Sequence, residues 1–259
     1  MVFIINLIET SLTFLVITLG TLVHGIAGFG LAQVSMGLMP LFRSPASASI
    51  IFSLIAVVSN FRVWWSVRDK FVIKDWFFPV FGLVFGMPLG IHVFSSFSES
   101  QFRIAIGITL ILAVILIIFF KRLDFFRVWL KKQNFNPGWK SAVIAGFIAG
   151  ILGGAVAIPG PPMIIYGAFM VAAGFWESEH MKAIFTAFFG TLMFYRLMVV
   201  LVAGSFTFPL LLEALILMPA LFLGAWLGIK IYNYISEKIF SWLVLVILSI
   251  NAFVLLLTT

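Results

Sequence analysis

The sequence predicts an all-α polytopic membrane protein of two inverted repeats, each a broken or re-entrant helical segment plus three transmembrane helices. Of 259 residues, 63% are hydrophobic and only 10% charged, and the mean hydropathy of +1.21 lies far outside soluble globular usage. Two uncharged stretches, Thr10 to Phe42 and Ser141 to Trp176, are each too long for one crossing and too short for two comfortable ones. A helix needs roughly 20 residues to cross a hydrocarbon core about 30 Å thick. Matched residues also recur at a fixed separation along the chain, which marks a duplication.

The apolar segments run over 3–42, 46–67, 76–97, 102–120, 140–176, 183–204, 208–231 and 239–258, the first and fifth being broken. The opening MVFIINLIET has no basic n-region and no small-residue cleavage site, and it carries Glu9, so it is expected to be the first membrane segment. The first break falls in HGIAGFGLAQ (His24 to Gln33) and the second in GILGGAVAIPGPP (Gly150 to Pro162). Irregular backbone at bilayer depth has no water to satisfy its N–H and C=O groups, so it survives only where buried in protein or lining a polar cavity. Paired breaks in corresponding places of two halves point to a transporter's binding site. Trp64, Trp65, Trp76, Trp129 and Trp139 stand beside charged loops, as interfacial aromatics do. The long polar connection from Lys121 to Lys140 suits a surface-lying link. The expected organisation is a first membrane repeat over 1–120, a cytoplasmic linker over 121–139 and a second repeat over 140–259.

Asp75, Gly86, Gly90, Ile91, His92, Ser98, Glu99 and Phe102 match Glu213, Gly224, Gly228, Ile229, Lys230, Ser236, Glu237 and Phe240, all 138 apart. With small gaps, Phe61-Arg62 aligns with Tyr195-Arg196, and Gly25-Ile26-x-Gly28 with Gly150-Ile151-x-Gly153. If each broken segment returns to its starting side, Arg68, Lys70, Lys74, Lys121, Arg122, Arg127, Lys131, Lys132, Lys140, Lys182, Lys230 and Lys238 share one face, leaving Arg43 and Arg103 on the other. That division is sharper than the nine against five that single crossings give. The positive-inside rule therefore favours inverted repeats with both termini outside.

A glycine-rich motif near the start of each of two four-helix halves, in about 260 apolar residues, resembles the TauE/SafE sulfite exporter family, also described as toluenesulfonate uptake permeases. The resemblance covers essentially the whole chain. It implies a secondary transporter of small anions, chiefly sulfite and organosulfonates and sometimes other organic acids. This sequence departs from the family's common glycine cluster, reading AGFGLAQVSMG in the first half and GGAVAIPGPP in the second.

The residues give their own chemistry. Half-helices beginning after Gly30 and after Pro162 would aim unpaired N–H groups and a partial positive charge at an anion. Gly25, Gly28, Gly30, Gly153 and Gly154 permit close approach of ligand to backbone, while Pro159 and Pro162 interrupt the helix. Gly20, Gly25, Gly28, Gly150, Gly153 and Gly154 equally suit small-residue contacts between helices. His24 can donate to an anion or carry a proton, or close an orphan carbonyl at the break. Gln33 and Ser35 can donate to sulfonate oxygens or cap the following half-helix. Arg196 and Arg62 sit within apolar helices; a guanidinium fork matches an oxyanion, with pairing to Glu213 as the competing role for Arg196 and snorkelling for Arg62.

No Walker-type GxxxxGK[ST], HExxH or serine-nucleophile elbow occurs, and no cysteine is present. No catalytic, metal-binding or cofactor-binding constellation is therefore expected. The net charge of +7 sits mostly in short loops, which reads as topology and gives no expectation of a nucleic-acid partner. The expected partners are a small anionic substrate, membrane lipid and a second copy in a homodimer. The expected location is the inner, or plasma, membrane. The leading expectation is an ATP-independent exporter of small sulfur-containing or organic anions; an anion channel, and from a different class an intramembrane enzyme or a complex scaffold, are the alternatives.

Overall fold

A computed structural model describes residues 7–27, 29–121, 137–202, 204, 207–231, 246, 249, 250, 252–254, 256 and 257. Gly28, most of the expected linker and most of the final apolar segment lie outside the described residues. The described residues form helices and connecting turns, with seven helices long and apolar enough to cross a membrane.

The first broken segment is α1 (Leu7–Ala27) followed by α2 (Leu31–Leu38) and a 3-10 turn at Met39–Leu41. Gly30, at φ 100°, lets the chain reverse between them; that left-handed backbone strains any residue with a Cβ. α2 then runs back along α1, so that a Cβ on Gly20 would press on the Leu31 side chain and the Ser35 hydroxyl. By Arg43 the chain has returned to its start: the Arg43 guanidinium lies 2.9 Å from Glu9 and donates to Thr13.

α3 (Pro45–Ser66) begins with Ser44 accepting from the Ser47 amide and Pro45 in the first turn, where a missing N–H costs nothing. α4 (Ile73–Ser96) carries Pro79 and Pro88 without breaking. α5 (Glu99–Lys121) opens on a reciprocal cap between Ser98 and Gln101.

The second broken segment is α6 (Trp139–Val156) and α7 (Gly160–Ala172). Ala157, at φ 59°, ends α6 in left-handed conformation, and its amide reaches the Gly153 carbonyl at 3.1 Å. The second half-helix starts at Gly160, earlier than expected: Pro161 and Pro162 lie inside its first turn, where their missing N–H groups are tolerated. This segment also returns to its start. The Trp139 ring lies 6.0 Å from Phe78 near the start of α4, and Trp176 beyond α7 donates to Asp75 on that same first turn.

α8 (Ser178–Val202), α9 (Phe208–Ile216) and α10 (Met218–Ile231) complete the described helices. The apolar stretch 208–231, expected as one span, kinks at Leu217, just before Pro219. His180 at the start of α8 bonds Asp75 through Nε2 at 2.9 Å and meets the Lys70 carbonyl through Nδ1 at 2.8 Å. The mouth of the second segment is thereby tied to α4.

Two helix pairs are joined backbone to backbone. A Cβ on Gly82, Gly86 or Gly90 of α4 would strike the Val143, Phe147 or Ile151 carbonyl of α6, and one on Gly146 would strike Pro79. A Cβ on Gly224 or Gly228 of α10 would strike Thr18 or Leu22 of α1. Small residues of this kind let membrane helices approach closely, where dispersion and not hydrophobicity holds them together. α3 and α8 pack through side chains instead, around Phe52, Phe188, Phe189, Leu192 and Met193.

Candidate functional site

The tips of both broken segments meet at one internal cavity. Its free space is about 20 Å³, room for a water-sized sphere, and it is lined from α1 by His24, from the first break and α2 by Phe29, Gly30 and Gln33, and from the second break by Pro159 and Gly160. Asn60 and Phe52 of α3 and Phe189 and Met193 of α8 close its sides. A Cβ on Gly160 would strike the Gln33 side-chain amide, so a larger residue there would displace it.

Both half-helices point their N-terminal ends at this space. The first three amides of a helix have no carbonyl partner within it, and neither the Gly30 nor the Pro159 cap supplies a side-chain acceptor. In α7 the two prolines leave Gly160 as the donor among those three. His24 is 2% exposed and its Nε2 has no hydrogen-bond partner. Asn60 is 3% exposed; its Nδ2 donates to the Ala56 carbonyl at 2.8 Å while its Oδ1 has no partner. Lys182 donates to the Gly25 carbonyl at 3.1 Å, putting a cation at the C-terminal end of α1, where the helix dipole is negative.

Of the residues expected at a site, His24, Gly30, Gln33 and Pro159 line the cavity. Gly28 lies outside the described residues. Gly25 packs against Ala225 and Gly228 of α10, and Gly154 against Met87 and Gly90 of α4. Gly153 faces Leu192 and Pro159, Pro162 is buried in the first turn of α7, and Ser35 is buried against α1 with its hydroxyl unpartnered.

The two arginines stand apart from the cavity lining. Arg196 is fully buried; its guanidinium donates to Ser53 Oγ at 2.8 Å, to Ser49 Oγ at 3.3 Å and, through Nε, to the Gly154 carbonyl at 3.4 Å, with the Phe94 ring 5.0 Å away. The pairing with Glu213 that the sequence offered for Arg196 does not occur. Glu213 instead takes a forked bond from Arg43, at 2.9 and 3.0 Å, because the first broken segment returns Arg43 to that end of the bundle. Arg62 sits with its guanidinium carbon 5.6 Å from the Phe222 ring.

Sequence reasoning missed Asn60 and Gly160. Gly160 stood within the quoted motif among the prolines; Asn60 carried a usable signal, being a lone amide in the apolar run SLIAVVSNFRVWW.

A family model matches residues 13–255, nearly the whole chain. The chain belongs to the sulfite exporter TauE/SafE family. No curated protein and no solved structure matches it. Membership of this membrane transporter family accords with the seven helices, among the described residues, that are long and apolar enough to cross a membrane.

Proposed function

We propose that this TauE/SafE protein is a secondary transporter that exports a small sulfur-containing or organic anion from this cavity by alternating access of two inverted halves. The observation that carries the reading is the convergence of two uncapped half-helix N-termini, Leu31 and Gly160, one from each half, on a cavity that also holds the unpartnered His24 nitrogen. Helix N-termini stabilise negative charge through oriented N–H groups, and broken helices aimed at a midplane ligand are how many secondary transporters hold anions. Among the described lining residues there is no lysine or arginine. Recognition by dipoles and neutral donors suits an ion with a single charge.

The inverted arrangement is supported by the crossed pairing of helices. Gly86 and Gly90 of α4 meet α6, while their repeat partners Gly224 and Gly228 of α10 meet α1, so each half places the same glycines against the other half's first helix. An inside-negative potential favours outward movement of each negative charge by about 2.3 kcal/mol per 100 mV, so export needs no coupling ion.

The test uses purified protein in liposomes with radiolabelled sulfite. Saturable uptake with counterflow, lost in His24→Leu, is the expected result. Linear, non-exchanging flux would instead favour the anion channel, and no sulfite or sulfonate binding by the folded protein would overturn the anion site.

A further inference from the structure

We infer that the ligand of this cavity carries its own hydrogen-bond donor, an O–H or N–H group, and that Asn60 reads it. The inference rests on the anion-site reading above and adds a second requirement. Two half-helix N-termini call for an anion, and the side chains of His24 and Gln33 can donate to it. Asn60 calls for the opposite partner.

The amide orientation of Asn60 is fixed by chemistry. Only its NH₂ end can donate to the Ala56 carbonyl, 2.8 Å away within α3, so the atom left over is the acceptor Oδ1. That oxygen is buried and unpartnered in a residue that lines the cavity. Gly190 of α8 backs the side chain, with room for a Cβ only 3.3 Å from Asn60 Cβ, which confines Asn60 to this place. An acceptor left without a donor in a dry site costs about 1–3 kcal/mol. An anion with bare oxygens would repel it. A protonated oxyanion, or a short organic anion bearing a hydroxyl or amino group, satisfies both ends of the cavity at once, its charge toward the helix termini and its donor toward α3.

A matched pair of probes tests this: 2-hydroxyethanesulfonate and ethanesulfonate, which share a charged group and differ by one hydroxyl. Binding to the purified full-length protein is measured by titration calorimetry, together with Asn60→Leu. The expected result is roughly tenfold tighter binding of the hydroxylated probe by the wild type, since a site built to bond a hydroxyl rejects the analogue lacking it. In Asn60→Leu the two affinities converge at the ethanesulfonate value. Equal affinities in the wild type would overturn the inference while leaving the anion site intact, and need no variant to fold. A preference that survives in Asn60→Leu would overturn the role of Asn60. If neither probe binds the wild type, the anion-site reading falls and this inference with it.

Discussion

Arg196 illustrates how little a residue's sequence neighbourhood says about its partners. A guanidinium in mid-helix among apolar residues invites either a ligand or a carboxylate, yet it is held by two serines of α3, 143 and 147 positions away, and by a carbonyl freed near the end of α6. The carbonyl is open to it because Gly154 lies where α6 is about to break. The arginine thus braces the second break from behind. Replacing it by methionine strands the Gly154 carbonyl and removes a donor from the Ser49 and Ser53 hydroxyls, which keep only their own bonds to the Ala46 and Ser49 carbonyls, with a cost of about 1–3 kcal/mol. Arg196→Met is expected to lower the melting temperature in detergent while the folded fraction keeps its anion affinity, and Glu213→Gln is expected not to rescue it. An unchanged melting temperature with a tenfold loss of affinity would return Arg196 to the ligand. His24 and Gln33 were legible because a polar residue beside a glycine break has few other uses. Arg43 was legible only as a loop charge, because its partner Glu213 is 170 positions away.

At the scale of the element, the breaks were legible and the pairings were not. Glycine and proline at Gly30 and Pro159 to Pro162 act on the local backbone, so their effect can be read from the residue type alone. Pro79 and Pro88 show the limit of that reading, since α4 continues through both. Which helix a glycine stripe faces depends on the tertiary arrangement. The α4–α6 contact makes a sharp prediction: Gly86→Ala puts a methyl group into the Phe147 carbonyl, whereas Gly138→Ala meets nothing within 4 Å. Backbone cannot yield as a side-chain tip does, so the first change is expected to cost about 3 kcal/mol or more, read as loss of monodisperse protein in size-exclusion chromatography. Gly138→Ala is expected to behave as wild type. Equal behaviour of the two would show that the α4–α6 contact is looser than its geometry.

For the whole molecule, the orientation rests on charge. Arg43 and Arg103, the two cations set apart by the charge division, line one surface cleft together with Glu9 and Glu99, while Lys70, Asp75, Glu179 and His180 gather elsewhere, at the start of α4 and α8. The glycines at a fixed offset were legible, and Gly86 and Gly90 of α4 and Gly224 and Gly228 of α10 make close helix contacts; which helix each pair meets was not legible, because an offset within one chain does not say what a residue will face. Topology is checked by cysteines at Ser47 and Lys70 in intact cells. An impermeant maleimide is expected to label Ser47→Cys and to spare Lys70→Cys until the membrane is opened; the reverse pattern would invert the assigned orientation.

The glycine contacts also have a mechanical meaning. Helices joined carbonyl to Cα have almost no room to slide, so α4 with α6, and α1 with α10, behave as two stiff beams. α3 and α8 meet differently, across a cleft of about 380 Å³ walled by Val57, Phe61, Trp64, Ala187, Gly190 and Phe194. Such a joint can shear. A short bismaleimide between cysteines at Val57 and Ala187 is expected to stop transport, whereas one between cysteines at Phe78 and Trp139, whose rings already lie 6.0 Å apart, is expected to leave it running. Arrest by the second bridge alone would move the working hinge into the beams.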